Sequence, residues 1–228
     1  MMFEVDNRVK LYLARVLYES GRFDDASSMM KTLIDAKYNF SEDDFHLVVS
    51  IWQAMISPIR IGIMNMKDDI STYPKMKLAI DSLIRELRTK IDEIIGFTKA
   101  FILPSLESDE SKSIFYKHYA DFLRYSLPTL TADEIMNAAM ESKSFYEKAL
   151  DVIRVMTKPH FDLKLSIILN HSILLADYLS QKQKAVDTIT ELKKETKQSF
   201  EKYPDEIKPR ISTILELMDD NLKRWNDH

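Results

Sequence analysis

The sequence predicts an all-α protein of nine helices, packed as a single array of antiparallel neighbours, and three observations predict it. Gly is scarce, 3 in 228 residues. That argues against hairpin-rich β structure and against Gly loops that cradle phosphates. Apolar residues recur at i, i+3 and i+4 through nearly the whole chain, the spacing of amphipathic helices. Hydroxyl and acidic residues gather where these stripes begin and prolines where they end, as helix capping requires.

Taken in order, a first helix is expected over Phe3 to Ser20, stopping at Gly21, and a second over Phe23 to Ala36. Ser41-Glu42-Asp43-Asp44 reads as an N-cap with acids in the first turn, where they meet the positive end of the helix dipole. The third helix runs through Leu47, Val48, Ile51, Trp52 and Met55 and past Pro58. That proline lacks an N–H, which predicts a kink or a break nearby. Pro74 opens a fourth helix that ends before Pro104, and Ser108-Asp109-Glu110 starts a fifth that ends before Pro128. Thr131-Ala132-Asp133-Glu134 is a capping box for the sixth. Pro159 separates it from a seventh that ends near Ser180. An eighth runs to about Tyr203 and a ninth from about Asp205 to Trp225. No stretch has the composition of an interdomain linker, so residues 1–228 read as one domain. A weak internal echo joins Glu147–Ile153 to Gln183–Ile189, 36 residues on. The turn Gly21-Arg22-Phe23-Asp24-Asp25-Ala26 also resembles that of a helix-pair repeat.

Composition excludes several classes of function. There is no Cys, hence no disulfide and no thiolate metal site. A formal net charge of −4 gives no general attraction to nucleic acid or anionic lipid. The N-terminus carries Glu4 and Asp6 where a signal peptide needs bases. The apolar stretch Leu163 to Leu179 is broken by Lys164, Asn170, His171 and Asp177, too polar and too short to span a bilayer. No membrane attachment is therefore expected, and a reducing compartment such as the cytoplasm is compatible with the absence of Cys. The 5 histidines are scattered. His118 and Asp121 could form half a metal site, but no further ligands converge in the sequence. Neither a nucleophile–base–acid set nor a phosphate-binding loop is present. The expectation is a protein that is no enzyme and uses no cofactor or metal.

Four helix faces carry the candidate chemistry. Gln53, Ser57 and Arg60 align on the third helix, and Lys117, Asp121 and Arg124 on the fifth, beside Tyr125. Asn170, Ile173 and Asp177 align on the seventh, beside Leu169, and Leu217, Asn221 and Trp225 on the ninth. Arg60 and Arg124 are planar donor forks that match a phosphate. Tyr125 adds a hydroxyl and Lys117 a mobile charge. Asn170 and Asn221 each offer a donor and an acceptor, as an extended backbone requires. Leu169, Ile173, Ile214 and Leu217 would form an apolar wall. Lining one concave channel, these groups would grip a phosphorylated peptide. Each has a plainer alternative. Arg124 could pair with Asp121, Arg60 could be solvated, Asn170 could bond a neighbouring helix, and Trp225 could be core.

Several motifs, in order along the chain, resemble those of the 14-3-3 proteins. Arg22-Phe23-Asp24-Asp25 resembles their R-Y-D-D turn, and Phe101-Ile102-Leu103-Pro104 with Glu110-Ser111-Lys112 their F-L-I-P and E-S-K segments. Asp121-Phe122-Leu123-Arg124-Tyr125 is similar to D-Y-Y-R-Y. His160, Leu169-Asn170 and Asp177 fall where the family has H-P-I-R-L-G-L-A-L-N and a downstream Glu, and Asp220-Asn221-Leu222 with Trp225 resembles D-N-L-x-x-W. The resemblance implies a nine-helix protomer in a cupped dimer, with an amphipathic groove on the concave face. Residues 1–37 would dimerise and residues 41–225 would form the groove. Arg60, Arg124 and Tyr125 would hold phosphate with Lys117 nearby, and Asn170 and Asn221 would hold the ligand main chain. Asp177 and Trp225 would pair across the groove, Asp replacing the usual Glu. Arg22 of one subunit would pair with Glu86 of the other, and Val16 and Met29 would supply apolar contact.

Departures from the pattern are specific. Gln53 replaces a phosphate-contacting Lys, Met64 an Arg, and Arg224 the usual Leu before the Trp. Ala79 and Ser82 replace a Tyr and a Lys of the dimer interface. The resemblance thus implies an adaptor for phosphoserine or phosphothreonine segments of client proteins, homo- or hetero-dimeric, with weakened or altered phosphate recognition. Two other readings stand beside it: a helical-repeat scaffold for unphosphorylated segments, and a structural hetero-dimer subunit with a decayed groove.

Overall fold

The computed structural model describes residues 6–67, 76–156 and 160–227. Expectations placed on Phe3, Glu4, Pro74 and Pro159 lie outside those residues. Among the described residues there are nine α-helices and no strand. They are α1 (Asn7–Glu19), α2 (Phe23–Asp35), α3 (Glu42–Lys67), α4 (Met76–Phe97), α5 (Asp109–Ser126), α6 (Ala132–Val155), α7 (Phe161–Tyr178), α8 (Lys182–Gln198) and α9 (Lys208–Asn226). Two compact units divide the chain, Met1–Ser105 with α1–α4 and Leu106–His228 with α5–α9.

In the first unit, Asp6 caps α1 by accepting the Arg8 N–H at 3.0 Å. The α1–α2 turn is a left-handed C-cap. The Arg22 N–H bonds the Leu17 carbonyl and the Gly21 N–H that of Tyr18, at 2.9 and 3.0 Å. Gly21 at φ 78° supplies the conformation that an L side chain resists. The same pair of bonds ends α2 around Lys37.

Ser41 and Asp44 cap α3 reciprocally: the Asp44 N–H donates to the Ser41 hydroxyl and the Ser41 N–H to the Asp44 carboxylate. The helix then continues through Pro58 without the expected break. Burial of Ile56 and Ile59 on either side offsets the lost backbone bond. By length and composition alone, Asp43–Met66 of α3 could cross a membrane, with a mean hydropathy of 1.5. Half of that window is buried within the protein, including Val48, Ile51, Trp52 and Ile56, which is the behaviour of a core helix. The α-helical part of α4 stops at Phe97, earlier than Pro104 required. A π-turn over Thr98–Ile102 and a 3-10 turn over Leu103–Ser105 follow. The Thr98 hydroxyl there donates to the Ile94 carbonyl at 2.7 Å, competing with the helical ladder.

The second unit is built around α7. Ile167 and Leu174 join Ala120, Tyr146 and Ala149 of α5 and α6 in one cluster. Leu165, Leu169 and Leu175 join Ala185, Ile211, Met218 and Trp225 of α8 and α9 in another. A helix apolar on both sides follows from having neighbours on both sides. Ala149 and Ala185, the matched alanines of the weak internal echo, are fully buried, one in each cluster. Ser108 caps α5 by accepting the Ser111 N–H at 3.0 Å. At α6 the Glu134 carboxylate accepts the Thr131 N–H and hydroxyl, both at 2.9 Å.

Candidate functional site

The polar centre of the second unit is Asp121, 1% exposed on α5. Its Oδ2 accepts from Lys117 Nζ at 2.7 Å, one turn earlier on the same helix. Its Oδ1 accepts from the Tyr146 hydroxyl at 2.5 Å, Asn170 Nδ2 at 2.8 Å and Arg124 Nη2 at 3.4 Å. Arg124 Nε also donates to the Tyr146 hydroxyl at 3.1 Å. Burial alone would raise the Asp121 carboxyl, but the charges of Lys117, Arg124 and His118 override it and hold it below the usual carboxylate range. Burial likewise opposes the Arg124 charge, yet the Asp121 carboxylate and the hydrogen bond to the Tyr146 oxygen outweigh it and the guanidinium stays protonated. Burial, reinforced by Asp121, keeps Tyr146 a neutral donor.

One carboxylate thus orders two cations, and a positive charge remains in excess. Arg124 lies over the Tyr125 ring, 4.7 Å from its centroid. Its Nη1 takes no acceptor among the described residues, so the fork is oriented but not exhausted. Such an arrangement can receive an anion with little reordering.

A second cluster joins α7 and α9. Asp177 Oδ1 accepts the Trp225 indole N–H at 3.1 Å and Oδ2 accepts Arg224 Nη2 at 2.9 Å. Arg224 Nη2 also donates to Asn221 Oδ1 at 3.0 Å. Asn221 Nδ2 donates to the Leu217 carbonyl of its own helix at 2.7 Å. Trp225 is 4% exposed and packs in the α7–α8–α9 core, presenting only its N–H to Asp177.

A family model described as "14-3-3 protein" matches residues 13–226. The chain belongs to the 14-3-3 family. It is 22% identical to "14-3-3 protein 2" of Entamoeba histolytica, over 94% of each chain. It is 24% identical to the "14-3-3-like protein" of Fucus vesiculosus, over 94% of this chain and 88% of that one. "14-3-3 protein homolog 1" of Schistosoma mansoni is 22% identical, over 97% of this chain and 90% of the other.

In this 14-3-3 protein the expected residues fall into distinct groups. Lys117, Arg124 and Asn170 converge on Asp121, with Tyr125 stacked under Arg124, and Asp177 accepts the Trp225 indole N–H. The plainer contacts exist as well: Arg124 bonds Asp121, Asn170 bonds a neighbouring helix, and Trp225 is core.

Two expected groove residues make contacts within the protein. Leu169 is core, 3% exposed, because α7 turns it towards α8 and α9. Asn221 is half engaged on α9: Nδ2 gives one hydrogen to the Leu217 carbonyl and Oδ1 accepts from Arg224, each atom keeping one further site. Ile173 and Ile214 are half-buried against the same core, and Leu217 is exposed. In the first unit Arg60 and Gln53 are half-buried on α3 and Met64 is exposed. Arg22, just before α2, pairs with Asp25 in its first turn at 2.6 Å, and Glu86 lies 3.9 Å from Lys90. Val16 belongs to an exposed α1 stripe with Val9, Tyr12 and Leu13.

Sequence reasoning missed Tyr146 and the role of Arg224. Tyr146 lies 25 residues from Asp121, and no local spacing connects them. Arg224 stood out as a departure from the family pattern, a usable signal.

Among the described residues, no group of three or more His, Cys, Asp or Glu could hold a metal ion. His171 is a pH-sensitive element of the same unit. Burial pushes it down to about 4 from an ordinary 6.5, Lys184 and Lys143 adding to the effect and Glu147 opposing it. Its Nε2 is buried without a partner among the described residues. The folded state therefore keeps the ring neutral while the unfolded chain takes up a proton near pH 6.5. Stability is full above that pH and falls by about 3 kcal/mol as pH drops towards 4. Urea denaturation across this window should show the slope, and His171→Gln should flatten it.

Proposed function

We propose that this 14-3-3 protein is an adaptor that binds phosphoserine- or phosphothreonine-containing segments of client proteins, and that it acts in the cytoplasm as one domain spanning residues 1–228. The observation that carries the reading is the Asp121-ordered pair of Lys117 and Arg124, with positive charge in excess and guanidinium donors open. Phosphate is the anion whose geometry suits that fork. Tyr125 would add its hydroxyl. The resemblance assigns Arg60 to the same task. Asn170, its nitrogen held by Asp121, keeps its oxygen to accept a main-chain N–H.

Recognition is weakened or altered relative to relatives with a full cationic set, because Gln53 and Met64 bring no charge. The test is fluorescence anisotropy of a labelled phosphoserine peptide and its unphosphorylated twin, at low and physiological salt. Binding of the phosphopeptide alone, weakening with salt, supports the adaptor. Equal binding of both peptides, or of neither, overturns it.

Dimerisation through α1 belongs to the same proposal. Val9, Tyr12, Leu13 and Val16 make a stripe at helical spacing, each at least 39% exposed, which a second subunit would cover. Sedimentation equilibrium, with and without an added relative, decides it: a monomer in both cases would refute the dimer.

A further inference from the structure

We propose that Arg224 is a specificity-determining residue that selects clients carrying an acidic side chain near the phosphorylated one. The inference rests on the adaptor reading and deepens it.

Leu217, Asn221 and Arg224 share one face of α9, at i, i+4 and i+7. A segment lying along that face meets an apolar side chain, an amide and a guanidinium in turn. The guanidinium is poorly consumed where it stands. Nη2 alone serves both of its acceptors, Asp177 Oδ2 at 2.9 Å and Asn221 Oδ1 at 3.0 Å. Nε and Nη1 take no acceptor among the described residues, and the side chain is 48% exposed. Asp177 takes the fork at one point only, its other oxygen accepting the Trp225 indole N–H. The guanidinium carbon lies 5.8 Å from the Trp225 ring centroid. Arginine thus presents more donors than its surroundings absorb: a ligand carboxylate can take Nε or Nη1 as the group stands, and can bind bidentately once Nη2 turns from Asn221 to complete the fork.

The same contact couples selection to grip. Asn221 is half engaged as it stands, Oδ1 accepting from Arg224 and Nδ2 giving one hydrogen to the Leu217 carbonyl, and Arg224 sits on the oxygen that a main chain would approach. An arriving carboxylate draws Nη2 away from Asn221. The released oxygen then accepts a ligand main-chain N–H. A neutral segment leaves Arg224 on that oxygen, and a basic one is repelled.

The experiment uses the full chain and a labelled phosphoserine peptide with alanine flanks. In one peptide set a single Glu steps through the flanking positions, and in another a single Lys does. Affinities are measured by anisotropy for the native protein, Arg224→Leu and Arg224→Lys. At one flanking position Glu should tighten native binding about three- to tenfold over Ala, a half-exposed charge-assisted contact, while Lys weakens it. Arg224→Leu should bring the Glu-to-Ala ratio near one, and Arg224→Lys should keep part of it. A native ratio below about two at every position, or the same ratio in Arg224→Leu, overturns the inference while phosphate-dependent binding of the alanine peptide leaves the adaptor reading standing. Absence of binding to any phosphopeptide overturns both.

Discussion

Replacing Asp121 by alanine should destabilise the second unit by about 3–5 kcal/mol, the cost of breaking a buried ion pair from one side. The carboxylate is 1% exposed, and both its oxygens are in use. Its removal strands Lys117 and Arg124, each with a side chain only 12% exposed, and leaves Tyr146 and Asn170 without their acceptor. Water reaches such groups poorly, so the desolvation cost is not recovered. Asp121→Asn should lie between, keeping the shape and one acceptor while losing the charge. Acid should act in the same direction. The folded carboxyl is held below its usual range, so its contribution is present above about pH 4 and is lost as pH falls through the folded value. Urea denaturation at pH 7 and pH 3 measures both effects, and a loss under about 1 kcal/mol for the alanine variant at pH 7 would refute the account.

Arg124→Ala should weaken phosphopeptide binding about ten- to hundredfold, the loss of one strong or two moderate charge-assisted hydrogen bonds. The residue is placed by three groups: Asp121, Tyr146 and the face of Tyr125. Its orientation costs little at the moment of binding because the fold has already fixed it. Arg124→Lys separates charge from geometry. It keeps the cation but loses the planar fork, and should recover only part of the affinity. Circular dichroism melting checks that neither variant has merely unfolded. Unchanged phosphopeptide affinity in a folded Arg124→Ala protein would remove the phosphate role assigned to this face.

Much of the architecture was legible from local spacing. Ser41 with Asp44, Ser108, and Thr131 with Glu134 all act as caps where the sequence placed them. Capping links residues two or three positions apart, so the chain carries the information itself. Gly21 ends α1 for the same reason. The i, i+4 pair Lys117 and Asp121 also needed no tertiary knowledge. At Pro58 and at Thr98–Ile102 local rules were insufficient. α3 stays whole because its flanks are buried, and α4 widens into a π-turn before its proline is reached.

What periodicity reveals is which residues share a face, and what it hides is what that face meets. Leu169 and Asn170 are adjacent in sequence, yet packing sends one into the α7–α8–α9 core and the other to Asp121 on α5. Tyr146 reaches Asp121 only because α5 and α6 lie side by side. The half-engaged amide of Asn221 depends on where Asp177 of α7 holds Arg224. Helix, face and cap are near-neighbour properties, set by residues within one or two turns. Whether a polar group stays available to a ligand is decided by residues tens of positions away, through hydrogen bonds that exist only once the helices have packed.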